Sequence, residues 1–128
     1  MTKLILTLLC AIHGVESSYS RNQRMGDDGP LQITSVCLRD VNRICRKNGY
    51  RIRFKPEDRK DLGKSREIAL VYLSYWGPLC AEKYGKPMDE ELLARLWHRG
   101  PTRMYDEYGD RYWKNVKKEL NTLKGKYK

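Results

Sequence analysis

Apolar positions in the first part of the chain recur with a helical period. Ile5, Leu9, Ile12 and Glu16 stand four, three and four residues apart, which is one face of a helix. Leu4, Leu8 and Val15 widen the stripe, so the pattern predicts a helix over residues 2–18. Glu16 then lies at the C-terminal end of an apolar face. A carboxyl group at the edge of a core has its charged form disfavoured and its pKa raised. The polar run SSYSRNQRMGDDGP reads as a loop. A second helix is expected from Ser35 to Lys47, with Cys37, Val41, Ile44 and Cys45 inward and Asn48-Gly49 as its stop.

YRIRF, residues 50–54, alternates with period two and reads as extended chain; PEDRKDLGK reads as loop. Ser65 is placed to cap a third helix, with Ile68, Tyr72, Leu73 and Tyr75 or Trp76 inward. Gly77-Pro78 is expected to end it, before a short turn at 79–84 closed by Gly85. Asp89 precedes EELLARLWH with acids in the first turn, and Gly100-Pro101 follows, which frames a helix. After the loop TRMYDEYG, Asp110 is expected to cap a last helix carrying Trp113, Val116, Leu120 and Leu123, ended by Gly125. No repeat, low-complexity tract or linker interrupts the chain. These elements predict one mostly α-helical domain over residues 1–128, with five or six helices, little or no sheet and a basic tail at about 124–128.

The length of 128 residues suits one domain with a real core. Charge changes the picture more. Lys and Arg number 26 against 16 acids, a net +10 with a pI near 9.6. That balance points to polyanionic surroundings: nucleic acid, an anionic membrane, or the bacterial wall. The four cysteines, Cys10, Cys37, Cys45 and Cys80, include no C-x-x-C pair, which argues against a zinc ribbon or thioredoxin motif. Each lies in an apolar helical pattern, so two disulfides and buried free thiols both stay open.

No apolar run reaches the 18 or so residues of a membrane span. LILTLLCAI after Lys3 has the length of a signal-peptide core. His13, Val15 and Glu16 stand where a small-x-small cleavage site belongs. Composition alone leaves a discarded leader and a retained helix as equal readings.

Three stretches taken in order resolve that choice. They are V-E-S at 15–17, G-P-L-Q-I at 29–33, and L-L-A-R-L-W-H-R-G-P at 92–101 followed by Y-W-K-N-V at 112–116. The set resembles the lysozyme-like superfamily, closest to its lytic transglycosylase and invertebrate-type lysozyme branches and to small bacterial or phage domains. In that pattern a helix ends in Glu-Ser and a loop leads to Gly-x-x-Gln-Ile/Val. A later helix carries Ala-x-x-(Tyr or Trp)-Asn-x-Gly-Pro, and Tyr-Trp or Tyr-Val opens the last helix. The similarity runs from about Ile5 to Leu120 and includes IALVYLSYWG.

The resemblance implies that the N-terminal run is a retained catalytic helix and that Glu16 is a general acid. It implies a substrate, the glycan strands of peptidoglycan, cut between N-acetylmuramic acid and N-acetylglucosamine. No cofactor, metal or obligatory nucleic acid is implied. Glycosidases commonly use two carboxylates. Asp28 and Asp27 are candidates for a second acid, with Asp40 on the next helix; the preferred reading of Asp27 and Asp28 is a Gly-Asp-Asp-Gly turn. Lytic transglycosylases manage with one Glu and the substrate's own acetamido group. Gln32 matches the family's cleft glutamine, and Gly29 and Pro30 would let the backbone approach the sugar. Trp97 stands for the frequent Tyr and His98 for the usual Asn, a departure that brings a titrating group to the subsite. Tyr112 matches a tyrosine near the acid. Packing alone is the competing reading for Trp97 and Tyr112.

His13 and Glu16 share a helical face but lack a third metal ligand by sequence. No phosphate-binding glycine loop is present. Two other functions fit the charge: a basic helical nucleic-acid-binding module, using Arg39, Arg43, Arg46, Lys47 and the C-terminal basic run, or an inactive lysozyme-like wall binder. An active enzyme with a retained helix would reach the wall without a cleaved leader, as a phage lysin or virion component does.

Overall fold

The computed structural model describes residues 2–22 and 29–126, with side chains described over 3–16 and 29–125. Within them the chain forms α1 (Thr2–Asn22), α2 (Ser35–Lys47), a 3-10 turn (Pro56–Lys60), α3 (Leu62–Tyr84), α4 (Glu90–Arg99) and α5 (Glu107–Lys126). The described residues hold no strand. The domain is all-α, as the hydrophobic pattern predicts.

The core is built around α1, which packs on α5, α3 and α4. Ile5, Leu8, Leu9 and Ile12 are fully buried, and each such side chain contributes about 1.5–3 kcal/mol on leaving water. They meet Val116 and Leu120 of α5, Leu73 of α3 and Leu93 and Leu96 of α4 in one continuous cluster. All four cysteines are free thiols, Cys45 and Cys80 buried among these apolar side chains. No described helix is long and apolar enough to cross a membrane.

The bounds of α2 come from local signals. Thr34 caps it, its hydroxyl accepting from the Cys37 N–H at 3.1 Å, and Asn48 closes it. Asp89 likewise caps α4 by accepting from the Leu92 N–H at 3.0 Å, and α4 stops at Gly100.

Four expected boundaries are corrected, the first being α1, which runs to Asn22 instead of ending at 18, through residues read as loop. YRIRF is not a strand. It runs as irregular chain beside α2, where the Asn42 amide donates to the Phe54 carbonyl at 2.9 Å and accepts the Phe54 N–H at 2.8 Å. One side chain thus supplies the pairing that a neighbouring strand would give.

The third helix starts earlier and runs further than expected. Asp61, not Ser65, is its cap, accepting the Lys64 N–H at 2.7 Å. Ser65 is buried and donates to the Arg59 carbonyl at 2.7 Å. The helix continues through Gly77-Pro78 for 23 residues to the left-handed Gly85. Pro78 removes one ladder donor, yet α3 carries on because α4 holds it. A Cβ on Gly77 would come 3.0 Å from both Leu93 Cδ2 and Met88 Sδ, so Gly77 serves a close helix approach.

The last helix starts at Glu107 rather than Asp110, and runs past Gly125. Asp106 accepts the Gly109 N–H at 2.9 Å. Asp110 lies within the helix and turns to Arg95, which donates to its Oδ1 at 2.7 Å. Arg95, 7% exposed, also donates to Glu91 Oε2 at 3.0 Å and to the Met104 carbonyl at 3.3 Å. Arg99 makes a forked pair with Asp106, its closest contact 2.7 Å. These two arginines brace α4 against the start of α5.

Removing a buried, multiply bonded cation strands its partners. Both acids facing Arg95 are partly solvated, which tempers the effect. Arg95→Ala is therefore expected to lower unfolding free energy by about 2 kcal/mol in urea titration. A loss below about 0.5 kcal/mol would class the contact with ordinary surface pairs.

Candidate active site

Glu16, from the C-terminal part of α1, is 7% exposed and lines a cleft of about 680 Å³. Its neighbour is a residue 96 positions away. Tyr112 Oη on α5 donates to Glu16 Oε1 at 2.9 Å. Burial pushes the Glu16 pKa from 4.5 up to about 7, with the Tyr112 hydrogen bond pulling the other way. Desolvation wins because the carboxyl sits among apolar side chains while one phenol stabilises its charge. The apolar stripe of α1 thus fills the core and sets the protonation of its last member.

The opposite wall comes from α4 and the turn after it, Gly100 to Thr102. The His98 ring stacks on Tyr112 with centroids 4.1 Å apart and planes within 2°. Loss of hydration, aided by Arg99 and opposed by Asp106, holds the His98 pKa below its ordinary value. The imidazole is therefore neutral at neutral pH, offering one donor and one acceptor. Its titration moves to the acid side of the expected range. Trp97 lines the cleft and also packs on the core, edge-on to Tyr72 at 5.8 Å. Trp97 is thus at once a packing residue and a cleft-lining residue.

Gln32 enters the cleft wall through a tight turn. Its backbone is left-handed, φ 53°, which is costly for a side-chain-bearing residue and is kept where the surroundings over-determine it. Leu31 and Ile33, both buried, fix it on either side. The Gln32 N–H donates to the Gly29 carbonyl at 3.1 Å and its Nε2 to the same oxygen at 2.7 Å. That second bond orients the amide, because an oxygen there would meet another acceptor. Oε1 is left buried with no protein donor. Gly29 is itself left-handed, φ 76°, and a Cβ there would collide with the Arg59 carbonyl. The glycine is thus required by packing within the protein.

Asp40 of α2 also lines the cleft. Its Oδ1 accepts from Arg43 Nε at 2.9 Å and Nη2 at 2.8 Å. Its Oδ2 accepts from Trp76 Nε1 at 2.8 Å. Trp76 is a cleft residue that the sequence marks only as inward-facing on α3. Asp27 and Asp28 lie outside the described residues. Thus Glu16, Gln32, Trp97 and His98 share one cleft, and Tyr112 reaches it through Glu16. Among the described residues, no three His, Cys, Asp or Glu side chains are grouped to hold a metal ion.

Comparison with protein-family models, with curated proteins and with solved structures finds no match to this chain.

The raised carboxyl pKa makes stability depend on pH. Between pH 4.5 and about 7 the folded protein keeps a proton on Glu16 that the unfolded chain has released. Stability therefore falls as pH rises through that window, by up to about 3 kcal/mol. Glu16→Gln removes this term. Its Tm is expected to exceed that of the wild type above pH 7, with the difference shrinking toward pH 4.5 in thermal melts. An unchanged pH slope in the variant would place the responsible group elsewhere.

Proposed function

We propose that this protein is a peptidoglycan-degrading glycosidase of lysozyme-like type. It would cleave the bond between N-acetylmuramic acid and N-acetylglucosamine, with Glu16 as general acid. The observation that carries the reading is the Glu16 carboxyl itself: buried at a cleft edge, held by Tyr112 and poised near neutral pH. Glycosidic cleavage needs such a group, because the leaving oxygen must be protonated as the sugar gains oxocarbenium character. The ordered motifs around Glu16, Gln32, Trp97 and Tyr112 support it, and the +10 charge suits an anionic wall.

The chemistry has two steps. In the first, Glu16 gives its proton to the bridging oxygen, the C1–O bond breaks, and the acetamido oxygen of the muramyl residue closes on C1. In the second, Glu16, now a carboxylate, takes the proton of the C6 hydroxyl, whose oxygen displaces the acetamido group to leave a 1,6-anhydro sugar. No water is consumed. A carboxyl poised near the working pH can serve in both directions. Water attacking in place of the C6 hydroxyl would make the enzyme a muramidase. Asp40 is not assigned as a second acid: both its oxygens are engaged, by Arg43 and by Trp76, which leaves it a poor nucleophile. The buried acceptor Gln32 Oε1 suits a substrate N–H or hydroxyl, and His98 a substrate carbonyl.

The test is digestion of isolated peptidoglycan, with soluble products read by mass. Wild type is expected to release disaccharide-peptides lighter by one water than hydrolytic products. Glu16→Gln is expected to lose at least about a hundredfold in rate. Failure of the wild type on a susceptible wall would reject the reading.

Tyr112→Phe supplies a finer check. Removing a bond that lowers the Glu16 pKa raises that pKa, so the fall in activity on the alkaline side moves to higher pH. A move to lower pH would mean that the phenol favours the protonated acid.

A further inference from the structure

The cleft does not end cleanly at Trp76. Val36, Asp40, Arg43 and Lys47 stand four, three and four residues apart on α2, one continuous stripe of the helix. Val36 and Asp40 line the cleft. Arg43 and Lys47 carry the stripe beyond it.

On α3 the neighbours Trp76 and Tyr75 do the same. Their rings meet edge-to-face with centroids 5.1 Å apart. Trp76 lines the cleft, while Tyr75 lines a second cavity of about 340 Å³ with Ile44, Asn48, Tyr50 and Leu70. Cations stand over this junction. Lys47 Nζ donates to Tyr75 Oη at 3.1 Å and lies 5.5 Å from its ring centre. The Arg43 guanidinium lies 5.8 Å from the same centre. Residues 39–55 carry seven Lys or Arg against the single acid Asp40.

We propose that this second cavity, with Lys47 and Arg43 set against its Tyr75 and joined to the cleft by the Trp76–Tyr75 ring contact, binds a short acidic peptide branch carried by the glycan strand. The proposal rests on the glycosidase reading and deepens it. A peptide branch of the wall offers carboxylates for the two cations. It also offers alkyl stems for a pocket walled by Ile44, Leu70 and two tyrosines.

Attachment to the sugar delivers the branch at high effective concentration, so modest contacts suffice. A nucleic acid fits less well. Base stacking needs open aromatic faces, and Tyr75 is half-buried, engaged by Trp76 on α3 and Lys47 on α2.

The experiment compares full-length protein on peptide-bearing glycan strands and on strands stripped of peptide by an amidase. Wild type is expected to show higher kcat/KM on the peptide-bearing strands, an advantage that salt erodes. Lys47→Glu is expected to cut the ratio between the two substrates about three- to tenfold, through KM. Lys47→Gln should give a smaller change in the same direction. Lys47 is exposed, so neither substitution disturbs the core. Equal turnover of both strands by the wild type overturns the proposal while leaving the glycosidase reading standing. So does an equal effect of Lys47→Glu on both. Cleavage of neither strand overturns both.

Discussion

The cleft is organised around one buried carboxyl group, held there at a cost to stability. Glu16 ends the apolar stripe of α1 and is held out of water by the core that stripe creates, with the Tyr112 phenol as its hydrogen-bond donor. Keeping it there costs about 3 kcal/mol near neutral pH relative to a solvated carboxylate. The apolar burial of Ile5, Leu8, Leu9 and Ile12 offsets that cost several times over. The rest of the molecule then reads as support for this contact. Tyr112 must arrive from α5 at the right height. The Arg95 and Arg99 braces lock α5 to α4, and His98 stacks flat on the phenol. α1, α4 and α5 thus meet around the Glu16–Tyr112 pair.

The cleft shows the same logic in its polar groups. Gln32 is held left-handed between two buried apolar residues with one amide oxygen unmatched by the protein. Such an unmatched buried acceptor is costly within the fold. Asp40 is the contrasting case: fully engaged, it fixes Trp76 and Arg43. Among the described residues, the two carboxylates lining the cleft, Glu16 and Asp40, are therefore unequal, one poised and one tied.

Elements framed by local chemistry were legible in the sequence. Asn48 at the end of α2, and Asp89 with Gly100 around α4, set boundaries through contacts within a few residues. Elements decided by distant partners were not. Gly77-Pro78 reads as a helix stop, but Leu93 and Met88 use the glycine as a contact. Asp110 reads as the cap of the last helix, but Arg95 on the preceding helix claims it. The alternation of YRIRF is real, yet its partner is a single asparagine side chain. In the site, periodicity placed Glu16 on the apolar face and motif order suggested Tyr112 and Gln32. The tie between Asp40 and Trp76 joins two helices and leaves no trace in spacing.

The most direct measurement is a carbon-13 NMR titration of the Glu16 carboxyl carbon in the full-length protein, assigned by its disappearance in Glu16→Gln. The expected midpoint is about 7, well above the ordinary 4.5. A midpoint at or below 4.5 would mean that the carboxyl is solvated and charged at neutral pH, and the role of Glu16 as a poised acid would fall with it.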